Sequence, residues 1–312
     1  MAKVNQELAF KLSDGTYLPW VAWGNGTGDA KKTAIESGKI ALEAGIRHID
    51  TAQLYENEKE TGIAIETSKI PREEVYVTSK LSPKADDGKY PPVPPSEVRD
   101  SIQGSLDRLG FVPDLYLIHS PFVPEPGQLK AVWKILEDLK DEGKLKSIGV
   151  SNFRPQDLEA ILDGAKHKPV VNQLELHPYT LAHLEPLLEL QEKHGILTTS
   201  YGALTPLLRH PTGGPLKPVL SNIAERLAKK YNAPDIDSLT VLFLWARAKK
   251  IGVVTASGNE ERIKGLAKVY HSSWELDPED VEEISRVGKT IHFRHYREHM
   301  EKDFPLPNLP SQ

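Results

Sequence analysis

The sequence predicts an α/β fold in which parallel strands close into a (β/α)8 barrel. Three observations carry this expectation. Short β-branched or apolar runs alternate with helical patterns along the chain. The runs number eight, one for each strand of such a barrel, and segments long enough for crossover helices separate them. The length of 312 residues suits one barrel of about 250 residues plus extensions. An open doubly wound sheet is the alternative topology, and two average domains are the alternative division of the length.

In chain order, residues 7–18 pattern as a small hairpin turned at Ser13-Asp14-Gly15. Strands are expected at 19–23, 46–50, 75–80, 114–119, 146–150, 170–175, 196–201 and 251–255. Helical patterns cover about 30–44, 57–68, 96–109, 127–142, 155–163, 181–194, 220–231, 235–248 and 260–269. In the third of these, Val98, Ile102, Leu106 and Leu109 share a face, with Ser96 as N-cap and Gly110 as the stop. The expected organisation is a single domain over 1–312: a hairpin at 1–18, the barrel at 19–270, and an extra helix and C-terminal loop at 271–312, ending in FPLPNLPSQ.

Composition excludes several kinds of chemistry. The chain has no cysteine, so thiolate nucleophiles, disulfides and Cys-type metal sites are ruled out. Lys and Arg total 39 against 44 Asp and Glu, a formal charge of −5, which argues against a nucleic-acid partner. No run reaches the ~18 apolar residues of a membrane span, and the polar N-terminus lacks a signal core. A cytoplasmic location without membrane partners is the expectation, with a small molecule as ligand and the chain a monomer or weak homodimer. Asn25-Gly26-Thr27 reads as a tight loop, not a glycosylation site.

In a barrel, chemistry sits at the C-terminal ends of the strands. The second strand ends at Asp50, with Tyr55 five residues on; the third ends at Lys80 and the fourth at His119. Each residue alone has an ordinary structural explanation, but four ionisable side chains on one rim form a working set. A phenol titrates near pH 10 and needs help to act as an acid at neutral pH. An adjacent ammonium stabilises phenolate and lowers the phenol pKa, a carboxylate holds the ammonium, and a neutral imidazole orients a carbonyl oxygen.

The segment 45–62 (GIRHIDTAQLYENEKETG), which contains Asp50 and Tyr55, resembles the aldo-keto reductase signature. Residues 114–121 (DLYLIHSP) resemble the segment carrying that family's catalytic His, and 149–153 (GVSNF) and 172–178 (NQLELHP) its nicotinamide-binding strand ends. These matches are ordered and correctly spaced over about 7–290. Gly24-Asn-Gly-Thr-Gly28 is similar to the first loop of the fungal conjugated-polyketone and α-keto-carbonyl reductase branch. The resemblance implies a (β/α)8 barrel and NADPH-dependent reduction of aldehydes and activated ketones. Tyr55 would be the general acid, tuned by Lys80 and Asp50, and His119 would position the carbonyl. The alternative is a non-catalytic cofactor-binding regulatory or structural protein on the same barrel.

The resemblance also implies a cofactor site. Ser151, Asn152 and Gln173 match the carboxamide-binding residues, and Tyr201 matches the aromatic that stacks on nicotinamide. Gly26, Thr27, Gly202 and Leu204 fall in the loops expected near the pyrophosphate. At the eighth strand the family's usual Ile-Pro-Lys-Ser is Val254-Thr255-Ala256-Ser257, so Ala256 replaces the Lys that would pair with the 2′-phosphate. Ser257 and Arg262 remain for that phosphate, with NADH tolerance left open. The glycines of 24–28 do not make a dinucleotide fingerprint, since Asp29 stands where its third Gly belongs.

For the substrate pocket, Ser120 after the expected catalytic His implies a wider, more polar space than the bulky Trp of many animal members. Trp23, Phe122 and the Pro-rich loop 89–95 are candidate walls, and the segment around His292 and Phe293 a candidate cover. His295 and His299 stand four apart but lack a third ligand, so a metal site is not expected. The mixed-charge segment Arg294 to Lys302 reads as solvated.

Overall fold

In the computed structural model, eight strands form a closed parallel barrel and a two-stranded hairpin lies outside it. The structure describes residues 2–84, 87 and 89–311; Met1, Ala85, Asp86, Gly88 and Gln312 of the expected 1–312 domain lie outside the described residues. The hairpin pairs β1 (Ala9–Lys11) with β2 (Tyr17–Pro19) around a turn in which Gly15 has φ +83°. The barrel strands are β3 (Val21–Gly24), β4 (His48–Asp50), β5 (Tyr76–Leu81), β6 (Leu115–Ile118), β7 (Ser147–Ser151), β8 (Val171–Glu175), β9 (Leu197–Tyr201) and β10 (Gly252–Thr255). Neighbours in sequence are neighbours in the sheet, and β10 closes the ring against β3.

Helices follow in chain order: α1 (Gly28–Lys32), α2 (Ala34–Glu43), α3 (Glu58–Ser68), α4 (Pro95–Leu109), α5 (Leu129–Asp141), α6 (Pro155–Leu162), α7 (Leu181–His194), α8 (Thr205–Leu208), α9 (Leu216–Lys230), α10 (Ser238–Ala248), α11 (Glu260–His271) and α12 (Pro278–Gly288). The expected helix 30–44 is broken at Thr33, whose φ −116° and ψ 36° leave the helical region while its hydroxyl caps the Asp29 carbonyl. α4 begins one residue earlier than expected. Pro95, with its fixed φ and missing N–H, takes the first helical position, so Pro94 and not Ser96 is the cap. Ser105 joins Val98, Ile102 and Leu109 on the buried face in place of Leu106, because its hydroxyl bonds the buried carboxylate of Glu58. Gly110 stops the helix as expected, at φ +79°.

The apolar residues divide into two bodies. The larger fills the space between strands and helices. The smaller joins Leu12 and Leu18 of the hairpin region to Tyr76, Leu115, Leu117 and Val171 inside the N-terminal half of the barrel. The hairpin therefore plugs the bottom of the barrel. The chain after α12 folds back: Pro310 accepts from the His292 amide, and Gln156 donates to the Asp303 carbonyl. Among the described residues, no helix is long and apolar enough to cross a membrane.

Candidate active site

A cleft of about 360 Å³ opens at the C-terminal mouth, within the range of small-ligand sites. Strand register builds it. Gly24 pairs with Asp50, Asp50 with Thr78, Ser151 with Gln173, and Glu175 with Tyr201. Side chains of matching parity therefore converge on one rim.

Lys80 is completely buried beneath the cleft. Its ammonium donates to Asp50 Oδ1, to the Thr51 carbonyl at 2.9 Å and to the Tyr55 hydroxyl at 3.3 Å. The other Asp50 oxygen accepts from Gln173 Nε2 at 2.9 Å. Burial alone would lower the Lys80 pKa, but Asp50 and then Tyr55 outweigh it and the ammonium is held above its usual range. Tyr55 arrives on a short 3-10 turn, Gln53–Tyr55. Its ring covers Gly26, where a Cβ would stand 2.6 Å from Tyr55 Cζ. Gly26 is expected near a cofactor pyrophosphate; in the structure its missing side chain makes room for the phenol ring.

One electrostatic expectation is corrected. Burial raises the Tyr55 pKa more than Lys80 lowers it, so the phenol lies above its ordinary value. The hydroxyl is thus protonated at neutral pH, with the ammonium offsetting only part of the penalty on phenolate. His119 meets Tyr55 edge-on at 5.5 Å between centroids. Burial first and Lys80 second press its imidazole pKa well below the usual value, which keeps it neutral. Its Nδ1 lies 2.7 Å from Ser82 Oγ, a partner that the motif reading missed.

Of the expected site residues, Gly26, Thr27, Asp50, Tyr55, His119, Ser151, Asn152, Gln173, Tyr201, Gly202, Leu204, Thr255 and Ala256 all line this cleft. Asn152 sits at φ +60°, its amide donating to the His119 carbonyl at 3.0 Å and accepting from Tyr201 at 2.7 Å. Ser257 and Arg262 stand beyond the lining. Ser257 accepts from the Asn259 amide, and Arg262 is exposed on the first turn of α11.

The substrate-wall expectations need correction. Trp23 faces away from the cleft because strand parity turns it outward when Gly24 turns inward. Its indole packs over Gly38 and donates to the Ser257 carbonyl at 3.0 Å. Ser120 is buried outside the lining, accepting from the Phe122 amide. Phe122 does not touch the cleft directly but stacks on His299, which does. His292 and Phe293 do not cover the site; they are packed against His183 and His210. The segment Arg294 to Lys302 is neither helical nor simply solvated. Arg294 is buried, and Tyr296, Glu298 and His299 form one wall of the cleft. Leu54, Leu208 and Arg209 complete the rim. Tyr296, Glu298, His299 and Arg209 come from irregular chain, and Leu54 and Leu208 from single short turns of helix, too short for a periodicity that could have revealed them.

The buried Glu175 holds that wall in place. Its carboxylate accepts from the backbone amides of His295 at 2.8 Å and Tyr296 at 2.9 Å, and faces Arg294 Nη1 at 3.5 Å.

The sequence matches the family described as "Aldo/keto reductase family" over residues 20–289. An NAD/NADP-dependent indole-3-acetaldehyde reductase of Schizosaccharomyces pombe is 34% identical over 298 residues, covering 92% of this chain and 98% of that protein. Prostaglandin F synthase 1 of Bos taurus is 34% identical, covering 91% of this chain and 92% of its own length. A crystal structure of an aldo/keto reductase from Brucella melitensis superposes with a TM-score of 0.72 at 30% identity, covering 89% of this chain and 98% of that one. With most of its length inside that family match and a site built on the barrel rim, the chain belongs to the aldo/keto reductase family, as an NAD(P)H-dependent oxidoreductase that reduces carbonyls to alcohols.

Proposed function

We propose that this protein reduces aldehydes and activated ketones, α-keto carbonyls among them, with NADPH, and that Tyr55 is the general acid. One observation carries the reading: the hydrogen-bonded series Asp50–Lys80–Tyr55 ends in a protonated phenol beside a neutral His119 at an open cleft.

The residues present fit a nicotinamide cofactor. Gln173 gives its amide N–H to Asp50, while its Oε1 has no protein partner among the described residues and is not enclosed, leaving an acceptor for a carboxamide. Asn152 and Ser151 lie beside it, and Tyr201 offers a ring face. Gly26, Thr27, Gly202 and Leu204 suit the pyrophosphate, and Ser257 and Arg262 the 2′-phosphate next to Thr255 and Ala256. When bound, the cofactor supplies the hydride to the carbonyl carbon.

The chain's own groups handle the oxygen. The Ser82 hydroxyl lies 2.7 Å from His119 Nδ1, and the proposed mechanism takes it as the donor to the imidazole. That assigns the His119 proton to Nε2, the edge left for the substrate oxygen. Tyr55 transfers its proton to the same oxygen as negative charge develops there, and Lys80, held by Asp50, stabilises the phenolate left behind. Solvent returns the proton to Tyr55 through the open cleft.

The experiment is parallel oxidation of NADPH and NADH with an aldehyde and an α-keto ester. Turnover with both substrates and a preference for NADPH is expected; tight cofactor binding without turnover of any carbonyl overturns the proposal. Two variants sharpen it. Ala256→Lys adds a charge at the exposed phosphate end and is expected to shift the NADPH:NADH affinity ratio roughly two- to fivefold toward NADPH. An unchanged ratio in paired Kd measurements places the phosphate elsewhere. Gly26→Ala pushes a methyl group into the Tyr55 ring and is expected to lower kcat by about 100-fold, because small misplacements of reacting groups are expensive. A melting curve like the parent's then distinguishes displacement of Tyr55 from unfolding.

A further inference from the structure

The wall formed by the C-terminal chain presents a second imidazole to the cleft. His299 lines the same space as Tyr55 and His119. Its plane is fixed from behind. The ring stacks on Phe122 at 5.9 Å and 28°, and Phe122 is itself held under the Arg154 guanidinium at 5.1 Å and the Lys302 ammonium at 4.9 Å.

The two nitrogens of His299 differ. Nδ1 is enclosed and Nε2 is not, and neither makes a bond to the protein among the described residues. A buried N–H without an acceptor is rarer and more costly than a bare buried acceptor. The proton therefore belongs on Nε2, so His299, like His119, offers an N–H donor to the cleft. Burial lowers its pKa and keeps it neutral, and the Glu298 carboxylate lines the cleft beside it. A neutral donor suits an uncharged oxygen, and the rim charges near it, Glu298 beside His299 and Arg209 near Tyr296, are exposed and opposite in sign.

We propose that His299 is a specificity-determining residue whose Nε2–H holds a second, neutral oxygen of the substrate. The enzyme then favours carbonyl compounds with an additional uncharged acceptor oxygen, such as keto esters and vicinal diketones, over monocarbonyls of similar size. This rests on the reading of Tyr55 and His119 as the site of the reacting carbonyl. It adds a residue and a discrimination that the four-residue rim set does not contain.

The test compares ethyl pyruvate, pyruvate and hexanal with the parent enzyme, His299→Phe and His299→Gln. Phe retains the stack on Phe122 without a donor; Gln restores an N–H at similar reach. His299→Phe is expected to lower kcat/KM for ethyl pyruvate about tenfold, mainly through KM, with hexanal changed by less than about twofold. His299→Gln is expected to recover part of the loss. Pyruvate is expected to be a poorer substrate than its ester. The proposal is overturned if both neutral substrates fall together, if neither changes, or if pyruvate outperforms the ester. A parent enzyme that oxidises NADPH with none of the three overturns the reductase reading too, a result visible before any variant is made.

Discussion

Tyr55→Phe is expected to lower kcat for aldehyde reduction by about 10²–10⁴-fold while leaving the Kd for NADPH within about twofold. The substitution deletes a single oxygen. The ring that covers Gly26 is retained, so the loop between β3 and α1 has no reason to move. The Lys80 ammonium keeps Asp50 and the Thr51 carbonyl and loses only its 3.3 Å contact to the phenol. On the proposed mechanism His119 would still hold the carbonyl oxygen, but that oxygen would have to take its proton from solvent. Because Tyr55 is held above its ordinary pKa, the parent enzyme's phenol is fully protonated through neutral pH. Steady-state kinetics with a cofactor titration by fluorescence check both halves. A variant that binds NADPH normally and reduces aldehydes at the parental rate would remove Tyr55 from the chemistry.

The rim was legible in the sequence because strand ends and a period of two suffice to place it. Asp50, Lys80 and His119 follow directly from where β-branched runs stop, and parallel pairing brings them level. Trp23 shows the same rule neglected. Once Gly24 is registered opposite Asp50, Trp23 is opposite Ile49 and must face the helices. The interruption at Thr33 and the capping of α4 by Pro94 are local competitions, in one case between a side-chain hydroxyl and the helix, in the other between two candidate first residues.

The far wall was hidden for a different reason. Tyr296, Glu298 and His299 lie in a loop without repeat, and a run of mixed charges reads as solvent-facing. Their placement depends on Glu175, which in sequence is only one more polar residue near the end of a strand. Buried charge paired across more than a hundred positions leaves no local pattern. It can be recognised only when β8 and the C-terminal chain are seen together.

Glu175→Gln is accordingly expected to destabilise the protein by about 3–5 kcal/mol, seen as a fall in Tm of roughly 5–10 °C. The amide oxygen can still accept from the His295 and Tyr296 backbone, so the loop is not deprived of every bond. What disappears is the only carboxylate that meets Arg294 among the described residues, whose guanidinium is buried with Nε and Nη2 already lacking partners. Burial would raise the Glu175 pKa, but hydrogen bonding and charge from His177, then Arg294 and the His295 amide, bring it below the usual carboxylate value. The carboxylate is thus charged in the fold at neutral pH. Its contribution is complete above the unfolded carboxyl pKa and is lost as pH falls through the lower folded value, so the difference between parent and variant should shrink in acid. Kinetics should show the same linkage: KM for a carbonyl substrate rises more than Kd for NADPH, because Tyr296, Glu298 and His299 lose their anchor while Asn152 and Gln173 keep theirs. Combining Glu175→Gln with Arg294→Met removes the stranded charge, and the double variant should melt above Glu175→Gln alone. Simple additivity of the two losses would mean that the pair is not coupled and that the loop is held by its backbone bonds.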